Sequence, residues 1–448
     1  MPRAALPPQQ TALQYASARD RIALFMEMRL GKTLVAIRWA KPHPPILVLA
    51  PLTVLPAWEQ ELELEGVPAS DILNLHDCFR RGFVGAFRGN WLLANYESIR
   101  SHPETLQCRV NTLICDESTR IRNPQAQITK LLITKTAHIP RKAILSGLPA
   151  PESPLDYCEQ FRFLQGNFMG MTSYWAVRNR YFWTDARGWD WLPRPGVVGK
   201  IKEYVHANAF VLTRKQANIG SRKVYETRTI EMTPGQQRVY KKAVKEFALE
   251  LTDGKEKETQ WVITKFLWMA RIAGGYSSEA DATAWSDRKM VELKTLLEGE
   301  LKGESVVVWF RFNREISEAC KMVGPGVSAV FINGSTSLEE RRARLRLFQR
   351  RHARVLFAQV KCAKFGLDCS VASTAIYYSN GYDYEDRAQS EDRIVHPQKR
   401  EPLLYLDLVT QKTVDEDIVD ILRTKHASSR IFMTQLLSKF QARHGTQH

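Results

Sequence analysis

The chain has 448 residues, which is too long for one ordinary hydrophobic core, so two or three domains are expected. Hydrophobic residues make up 44% of it and charged residues 25%, a composition typical of globular proteins and unlike that of disordered or fibrous ones. The formal net charge of +16 favours binding to a polyanion, although such an excess of basic residues can also serve solubility.

Nothing in the sequence predicts a membrane or secreted protein. No apolar run approaches the roughly 18–20 residues that a transmembrane helix requires. Residues 1–8 lack the apolar segment of a secretory signal. The seven cysteines are scattered and contain no Cys-x-x-Cys pair, which argues against a disulfide framework and against structural zinc. We therefore expect a reducing, cytoplasmic location and no membrane partner.

From residue 20 to about 165, short apolar runs alternate with helical patterns, which predicts a parallel sheet covered on both faces by helices. The predicted strands are Ile22–Phe25, Ile46–Ala50, Trp91–Ala94, Thr112–Cys115 and Ala143–Leu145.

A six-residue segment, Met28–Thr33, lies where the first of these strands should turn into a helix, and it ends in Gly31-Lys32-Thr33. At such a helix start, backbone N–H groups face an anion, the lysine reaches the β- and γ-phosphates, and the threonine hydroxyl binds Mg²⁺. Met26 stands where the full phosphate-loop pattern has a glycine, so a helix start with a solvated lysine is an open alternative.

Asp116 and Glu117 directly follow the predicted strand Thr112–Cys115. In phosphate-loop NTPases an acidic residue at this place holds Mg²⁺, and a neighbouring glutamate orients or deprotonates the attacking water. Acidic residues also end strands simply because they begin turns or cap helices. The two signals together, in this order and each after an apolar run, favour an ATPase.

The alternation stops at residue 166 and resumes near residue 285, which predicts four regions. These are a first ATP-binding lobe (1–165), a helical, aromatic-rich insertion (166–284), a second lobe (285–412) and a helical tail (413–448). The tryptophans at 175–191 could stack on nucleobases, but packing in a small accessory core is the favoured interpretation. The fold class expected is α/β, with two RecA-like parallel-sheet lobes in tandem. Strands of the second lobe are predicted at Val306–Phe310, Val327–Ile332, Val355–Ala358, Thr374–Tyr378 and Leu403–Leu408.

This plan, with a phosphate loop in the first lobe only, resembles superfamily two helicases and translocases. Finer motifs resemble the Swi/Snf-related branch, in a compact form like those encoded by bacteriophages. The matching segments are Leu6–Gln10, Met28–Thr33, Leu49–Glu61, Asn95–Ser98, Asp116–Pro124, Leu145–Pro149, Phe331–Ser335, Phe365–Asp368 and Gln389–His396.

The resemblance implies a set of site residues. Implied for catalysis are Lys32, Asp116, Glu117, Arg393 and His396. For nucleotide binding the resemblance implies Gln10 (with Gln9 as the rival), Arg29, Leu30, Gly31, Lys32, Thr33, Ser146, Gly366, Asp368 and Gln389. For Mg²⁺ binding it implies Thr33 and Asp116. Implied for DNA contact are Pro51, Trp58, Asn95, Tyr96, Arg120, Arg122, Arg311, Gly334, Ser335 and Lys361.

The sequence departs from the family at catalytic positions. Arg29 replaces a glycine of the phosphate loop, and His396 replaces the second arginine of the last motif. That arginine normally stabilises charge on the γ-phosphate, and arginine fingers are worth ~10³–10⁵ in rate. A neutral imidazole supplies no permanent charge. The ATPase could therefore be slow, use Arg387 or Arg400 instead, or depend on a partner protein.

The resemblance thus implies an ATP- and Mg²⁺-dependent motor that acts on double-stranded DNA and, if phage-encoded, works in the cytoplasm of a bacterial host cell. Two alternatives stay open. One is a helicase that separates DNA or RNA strands. The other is a weakly hydrolysing DNA-binding clamp, which the replaced arginine and lost glycines would favour.

Overall fold

A computed structural model describes residues 3–81, 89–107, 109–184, 191–251, 259–276, 284–323, 327–424 and 429–444 of the chain. Contacts between Cα atoms divide the chain into two compact units, Met1–Ile219 and Gly220–His448.

The first unit alternates strands and helices over most of its length. Its strands are β1 (Arg21–Met26), β2 (Ile46–Ala50), β3 (Ile72–Asn74), β4 (Trp91–Asn95), β5 (Thr112–Asp116), β6 (Arg141–Ser146), β7 (Phe182–Thr184), β8 (Trp191–Pro193) and β9 (Phe210–Leu212). Its helices are α1 (Pro7–Ser17), α2 (Lys32–Ala40), α3 (Leu55–Leu64), α4 (Leu75–Arg80), α5 (Tyr96–Ser101), α6 (Gln127–Lys135), α7 (Tyr157–Gln165), α8 (Tyr174–Tyr181), α9 (Val197–Asn208) and α10 (Arg214–Ala217).

Seven of the described strands form one parallel sheet in the order β3-β4-β2-β5-β6-β1-β9. Every residue of β2, β4 and β5 is buried, as expected for parallel strands that helices cover on both faces. Successive β1 residues point to opposite faces, so Ala23 and Phe25 belong to one apolar cluster while Ile22 and Leu24 belong to the other. The predicted two-sided parallel sheet is confirmed.

The second unit has the same alternation. Its strands are β10 (Lys223–Ile230), β11 (Val306–Phe310), β12 (Ala329–Ile332), β13 (Val355–Gln359), β14 (Thr374–Tyr377) and β15 (Leu403–Thr410), and they form a parallel sheet in the order β10-β15-β14-β11-β13-β12. Its helices are α11 (Pro234–Leu251), α12 (Thr259–Ala273), α13 (Arg288–Glu298), α14 (Asn313–Met322), α15 (Leu338–Gln349), α16 (Tyr384–Glu391), α17 (Val414–Arg423) and α18 (Ser429–His444). In the described parts of both units, no helix is long and apolar enough to cross a bilayer.

The segment predicted as a separate insertion, residues 166–284, is divided between the two units. Its strand β9 pairs with β1, and its strand β10 pairs with β15 along eight residues of each. The predicted boundaries at 165 and 284 therefore fall within the units, and the contact boundary lies between Ile219 and Gly220. The predicted tail also belongs to a unit, because Phe440 of α18 packs on Phe247 and Phe266 in one apolar cluster.

Candidate nucleotide site and nucleic-acid surface

The loop between β1 and α2 has the left-handed backbone that a phosphate loop needs. Gly31 has φ +83°, which side chains rarely adopt, and a Cβ atom there would lie 2.2 Å from Nε2 of Gln9, so glycine is favoured at this position. Arg29, which replaces the family's glycine, also has a positive φ of 68°. Left-handed backbone costs a residue with a side chain roughly 1–2 kcal/mol. The loop therefore keeps its conformation despite the arginine.

Of the two glutamines considered for nucleotide sensing, the structure places Gln9 at the loop. Gln9 is buried, and its side-chain amide donates to the Leu30 carbonyl at 3.5 Å. Gln10 is exposed, and its amide donates instead to the Ala5 carbonyl at 3.0 Å. Gln9, the rival of Gln10 in the sequence, therefore lies at the loop, because one step along α1 turns the side chain away from it. The nucleotide role of either glutamine stays a prediction.

The end of β6 lies against the same loop. Lys32 donates from Nζ to the Met26 carbonyl at 2.8 Å. A Cβ atom on Gly147 would lie 3.4 Å from Nζ of Lys32 and 3.0 Å from Cγ of Met28, so a side chain there would crowd both residues. Ser146 is fully buried, and its hydroxyl accepts from the Leu148 N–H at 3.1 Å. Strands β1 and β6 thus bring their carboxyl ends together around the lysine.

Asp116, at the end of β5, is held by three neighbours. The Trp58 indole donates to Oδ2 at 2.8 Å, the Glu117 N–H donates to Oδ1 at 2.9 Å, and the Tyr96 hydroxyl donates to the Asp116 backbone carbonyl at 2.7 Å. Burial raises the pKa of the Asp116 carboxyl above its ordinary value, although the Trp58 hydrogen bond and the charge of Lys32 act in the opposite direction. Because the charge of Lys32 acts on this carboxyl, Asp116 and the lysine of the loop after β1 lie near each other.

Glu117 and Ser118 turn the chain beyond Asp116. Glu117 has a left-handed backbone with φ 49° and is half-buried. The Ser118 hydroxyl donates at 2.6 Å to Gln160, whose amide donates to the Pro149 carbonyl at 2.6 Å. Gln160 is fully buried, and it links the segment after β5 to the segment after β6. Gln160 lies outside the matching segments given above, so only its contacts in the structure reveal this link.

Three side chains assigned to DNA contact are in fact buried. Trp58, Asn95 and Tyr96 are each less than 5% exposed. Trp58 and Tyr96 hold Asp116, as described above, and Asn95 donates to Glu97 at 3.1 Å. Their assignment is corrected, because a motif that follows a strand can turn its side chains toward the core. Arg120 remains exposed, 3.4 Å from Glu97.

Two other predicted DNA residues of the first unit also reach the surface. Arg122 forms an ion pair with Glu152, and Pro51 is partly exposed.

In the second unit, the last family motif runs along α16 and the loop that follows it. Gln389 is buried and donates to Glu385 at 2.9 Å. The Arg393 backbone carbonyl accepts from the Cys369 N–H at 3.0 Å, which joins this motif to the loop containing Gly366 and Asp368. His396 is half-buried, and its Nδ1 accepts from the Gln398 N–H at 3.2 Å.

That loop, Gly366–Asp368, makes a sharp turn of its own. Gly366 has φ 70° and is exposed. The Asp368 carboxylate accepts from the Ser370 N–H at 3.2 Å, and its backbone carbonyl accepts from the Gln349 amide at 3.0 Å.

Arg387, one of the two alternative arginines, is committed to a buried network. It donates from Nε to Glu391 at 2.9 Å, and from its two terminal nitrogens to Asp407 at 2.6 and 3.2 Å. Its guanidinium also lies 3.4 Å from the centre of the Tyr377 ring. Arg387 cannot reach a nucleotide without breaking these contacts. Arg400, the other alternative, is exposed and donates only weakly, to the Pro397 carbonyl at 3.4 Å.

The remaining predicted DNA residues of the second unit lie at the carboxyl ends of β11, β12 and β13. The Gln359 amide donates to the Arg311 carbonyl at 3.3 Å. A Cβ atom on Gly334 would lie 3.5 Å from Oε1 of the same Gln359. Ser335 and Lys361 are exposed beside them. A cavity of about 350 Å³ at this edge is lined by Ile263, Phe310, Arg311, Val360, Lys361, Gly381, Tyr382, Asp383, Asp386 and Met433.

Two family models match the chain. The model for the SNF2-related domain matches residues 9–273, and the model for the helicase conserved C-terminal domain matches residues 288–397. The first model alone covers more than half of the chain.

Curated relatives and a solved structure show the same likeness. The SWI/SNF-related matrix-associated actin-dependent regulator of chromatin subfamily A-like protein 1 of Drosophila melanogaster is 24% identical over 94% of this chain and 55% of its own length. The DNA repair and recombination protein RDH54 of Saccharomyces cerevisiae is 24% identical over 87% of this chain and 46% of its own length. The chain thus spans about half the length of the curated relatives it matches.

The helicase domain of Pyrococcus furiosus Hef shares the fold, with a TM-score of 0.52 and 13% identity, over 93% of this chain and 97% of that one. The two parallel-sheet units and the extent of the family match lead to one conclusion: the chain belongs to the SNF2-related family of helicase-like proteins.

Proposed function

We propose that this chain is an ATP-hydrolysing motor that translocates along double-stranded DNA. The observation that carries the proposal is the meeting of Lys32, Asp116 and Gly147 at the carboxyl ends of β1, β5 and β6. Membership of the SNF2-related family supports the same activity.

The chemistry of the residues fits ATP with Mg²⁺. Mg²⁺ prefers hard oxygen ligands, which the Thr33 hydroxyl and the Asp116 carboxylate provide. When bound, ATP would supply a γ-phosphate for transfer to water. Lys32 would neutralise phosphate charge, and its ammonium is already held at the loop by the Met26 carbonyl. Trp58 would keep the Asp116 carboxylate in one orientation by its indole hydrogen bond.

Glu117 would orient the attacking water and accept its proton. Its left-handed backbone turns the chain directly after Asp116, so the two carboxylates serve different roles from adjacent positions.

The proposal that the motor moves along DNA rests on the net charge and on exposed polar residues. The net charge of +16 suits a phosphate backbone, and Arg120, Lys361 and Ser335 are exposed. The name of the yeast relative describes a DNA repair and recombination protein. We infer that the motor translocates along duplex DNA and does not separate its strands. The experiment below distinguishes these two activities.

The proposal is tested by ATPase assays with matched nucleic acids. We expect blunt duplex DNA to stimulate phosphate release more than single-stranded DNA or RNA of the same length. Binding should weaken with salt, with log K falling against log[salt] at a slope of roughly −0.9 for each phosphate neutralised. Equal or stronger stimulation by single-stranded RNA would move the chain to the RNA helicase class. A salt-independent affinity would contradict phosphate recognition.

The weakly hydrolysing clamp is favoured by one observation, the histidine at the family's arginine-finger position. If His396 limits turnover, His396→Arg should raise kcat about tenfold or more, because it places a permanent charge where the family has one. His352→Arg is the matched control, since His352 is exposed in the same unit and the substitution adds the same charge. An unchanged kcat in both His396→Arg and His396→Ala would discard the finger assignment.

A further inference from the structure

A fully buried glutamine of α7, Gln160, makes three side-chain hydrogen bonds. The Ser118 hydroxyl donates to its Oε1 at 2.6 Å. Its Nε2 donates to the Pro149 carbonyl at 2.6 Å and to the Asp156 carbonyl, one helical turn earlier, at 2.9 Å. Because a backbone carbonyl can only accept, Nε2 must face the two carbonyls, and the hydroxyl must donate to the amide oxygen. The amide therefore has a single orientation that satisfies all three partners.

The bonds of Gln160 to Ser118 and to Pro149, here named the Gln160 link, join segments that follow two neighbouring strands. Ser118 lies two residues beyond the end of β5, and Pro149 lies three residues beyond the end of β6. Strands β5 and β6 pair in parallel, so both segments leave the same edge of the sheet. Ser118 and Gln160 are each 0% exposed, so solvent does not compete for the bond between them.

The residue between β5 and Ser118 is Glu117, and its backbone is left-handed, with φ 49° and ψ 56°. A residue with a side chain keeps this conformation only where its surroundings hold it, and such residues cluster at active sites. The Glu117 N–H donates to the Asp116 carboxylate at 2.9 Å, and its carbonyl accepts from the Arg120 N–H at 3.0 Å. The Gln160 link holds the next residue, so it supports the turn from the other side.

We propose that Gln160 is a positioning residue for ATP hydrolysis, because its link fixes the turn at Glu117 relative to the segment after β6. The inference rests on the proposed function, in which Glu117 would orient the attacking water. Gln160 itself is sealed from solvent and acts through the backbone of its two partners.

The segment after β6 is also the one that lies against the lysine of the loop between β1 and α2. A Cβ atom on Gly147 would lie 3.4 Å from Nζ of Lys32. The Gln160 link therefore holds the carboxylate that would activate water at a fixed place relative to the ammonium that would bind the phosphates. Reacting groups must be held in such a geometry, and a misplacement of about 1 Å costs on the order of 10²-fold in rate.

The first test compares Gln160→Leu with the wild type in the absence of nucleotide. Leucine is similar in size to glutamine but makes none of the three hydrogen bonds. We expect amide hydrogen exchange to rise about tenfold in residues 117–122 and 147–153, the factor that losing one hydrogen bond corresponds to. Amides within β5 and β6 should exchange as in the wild type, because the ladder between these strands does not include Gln160.

The second test measures ATP hydrolysis and ATP binding separately. Gln160→Leu should lower kcat about 10²-fold. It should leave the affinity for a fluorescent ATP analogue unchanged, because the Lys32 ammonium is held by the Met26 carbonyl and not by the link. Gln165→Leu is the matched control, since Gln165 is a glutamine of the same helix whose amide donates to the Tyr204 hydroxyl. The control should keep the wild-type kcat.

Ser118→Ala breaks the same link from its other end by removing one oxygen atom, so it decides the question if Gln160→Leu fails to fold. Its kcat should fall about tenfold. The double variant should be no slower than Gln160→Leu, because the link can be broken only once.

A wild-type kcat in Ser118→Ala or in folded Gln160→Leu would overturn the inference, even if amide exchange had risen, because the link would then be structural only. A loss of activity explained entirely by weaker ATP binding would overturn it too. Absence of ATP hydrolysis in the wild type would instead overturn the motor, whereas unchanged exchange in Gln160→Leu would overturn the link alone.

Discussion

Lys32→Ala should lower the rate of ATP hydrolysis by at least ~10²–10³-fold, because it removes the ammonium that would neutralise the phosphates. The fold should survive, since Lys32 is half-buried and its ammonium donates to a backbone carbonyl, that of Met26, at 2.8 Å. Phosphate release and fluorescent-nucleotide binding, measured on the same preparation, should both be lost.

Lys41→Ala is the matched control for this variant. Lys41 directly follows the same helix, α2, and its ammonium also donates to a backbone carbonyl, that of Glu65, at 2.8 Å. The Lys41→Ala protein should hydrolyse ATP at the wild-type rate. Wild-type hydrolysis by Lys32→Ala would show that the loop between β1 and α2 is not the phosphate site.

The companion substitution Glu117→Gln should separate binding from chemistry. Glutamine keeps the size of the side chain but cannot accept the proton of the attacking water, so ATP should bind with near wild-type affinity while turnover stops. Glu104→Gln, at an exposed position in the same unit, should leave both quantities unchanged. Loss of nucleotide binding in Glu117→Gln would contradict its role in the hydrolytic step.

Arg387→Ala should destabilise the second unit by about 3–5 kcal/mol, the usual cost of removing one partner from a buried ion pair. The substitution leaves Asp407, which is 1% exposed, without its two hydrogen bonds from the guanidinium. Amide hydrogen exchange in β14 and β15 is the suitable measurement, because it reports this unit without assuming that the whole chain unfolds in one step.

The control for the network is Arg400→Ala, which removes an exposed arginine from the same unit and should change stability by less than about 0.5 kcal/mol. Asp407→Asn combined with Arg387→Ala should cost less than the sum of the two single changes, since the residues interact directly. An Arg387→Ala protein as stable as the wild type would mean that the guanidinium is free for another role.

The sequence by itself determined the parallel strands, the glycine-containing turn between β1 and α2, and the acidic pair after β5. That this turn binds phosphate stays a prediction. These features are local, because a buried parallel strand is a continuous apolar run and a phosphate loop is a short segment at a strand-to-helix turn. Predicted strands such as Ile46–Ala50 and Val306–Phe310 therefore agree with the structure to the residue. The short edge strand β9 was missed because its apolar run is only three residues long, and β10 was missed because polar and charged residues interrupt its apolar ones.

Tertiary structure decided which polar side chains face the site and which face the core. Gln9 and Gln10 are adjacent residues of the same type, and only the packing of α1 against Gly31 distinguishes them. Trp58 could have lain on either side of α3, and its hydrogen bond to Asp116 across 58 residues fixes it inside. Arg387 of α16 follows the same rule, because its partner Asp407 lies on β15. Contacts between residues far apart in the chain have no local pattern, so the fold alone assigns these side chains to a site or to the core.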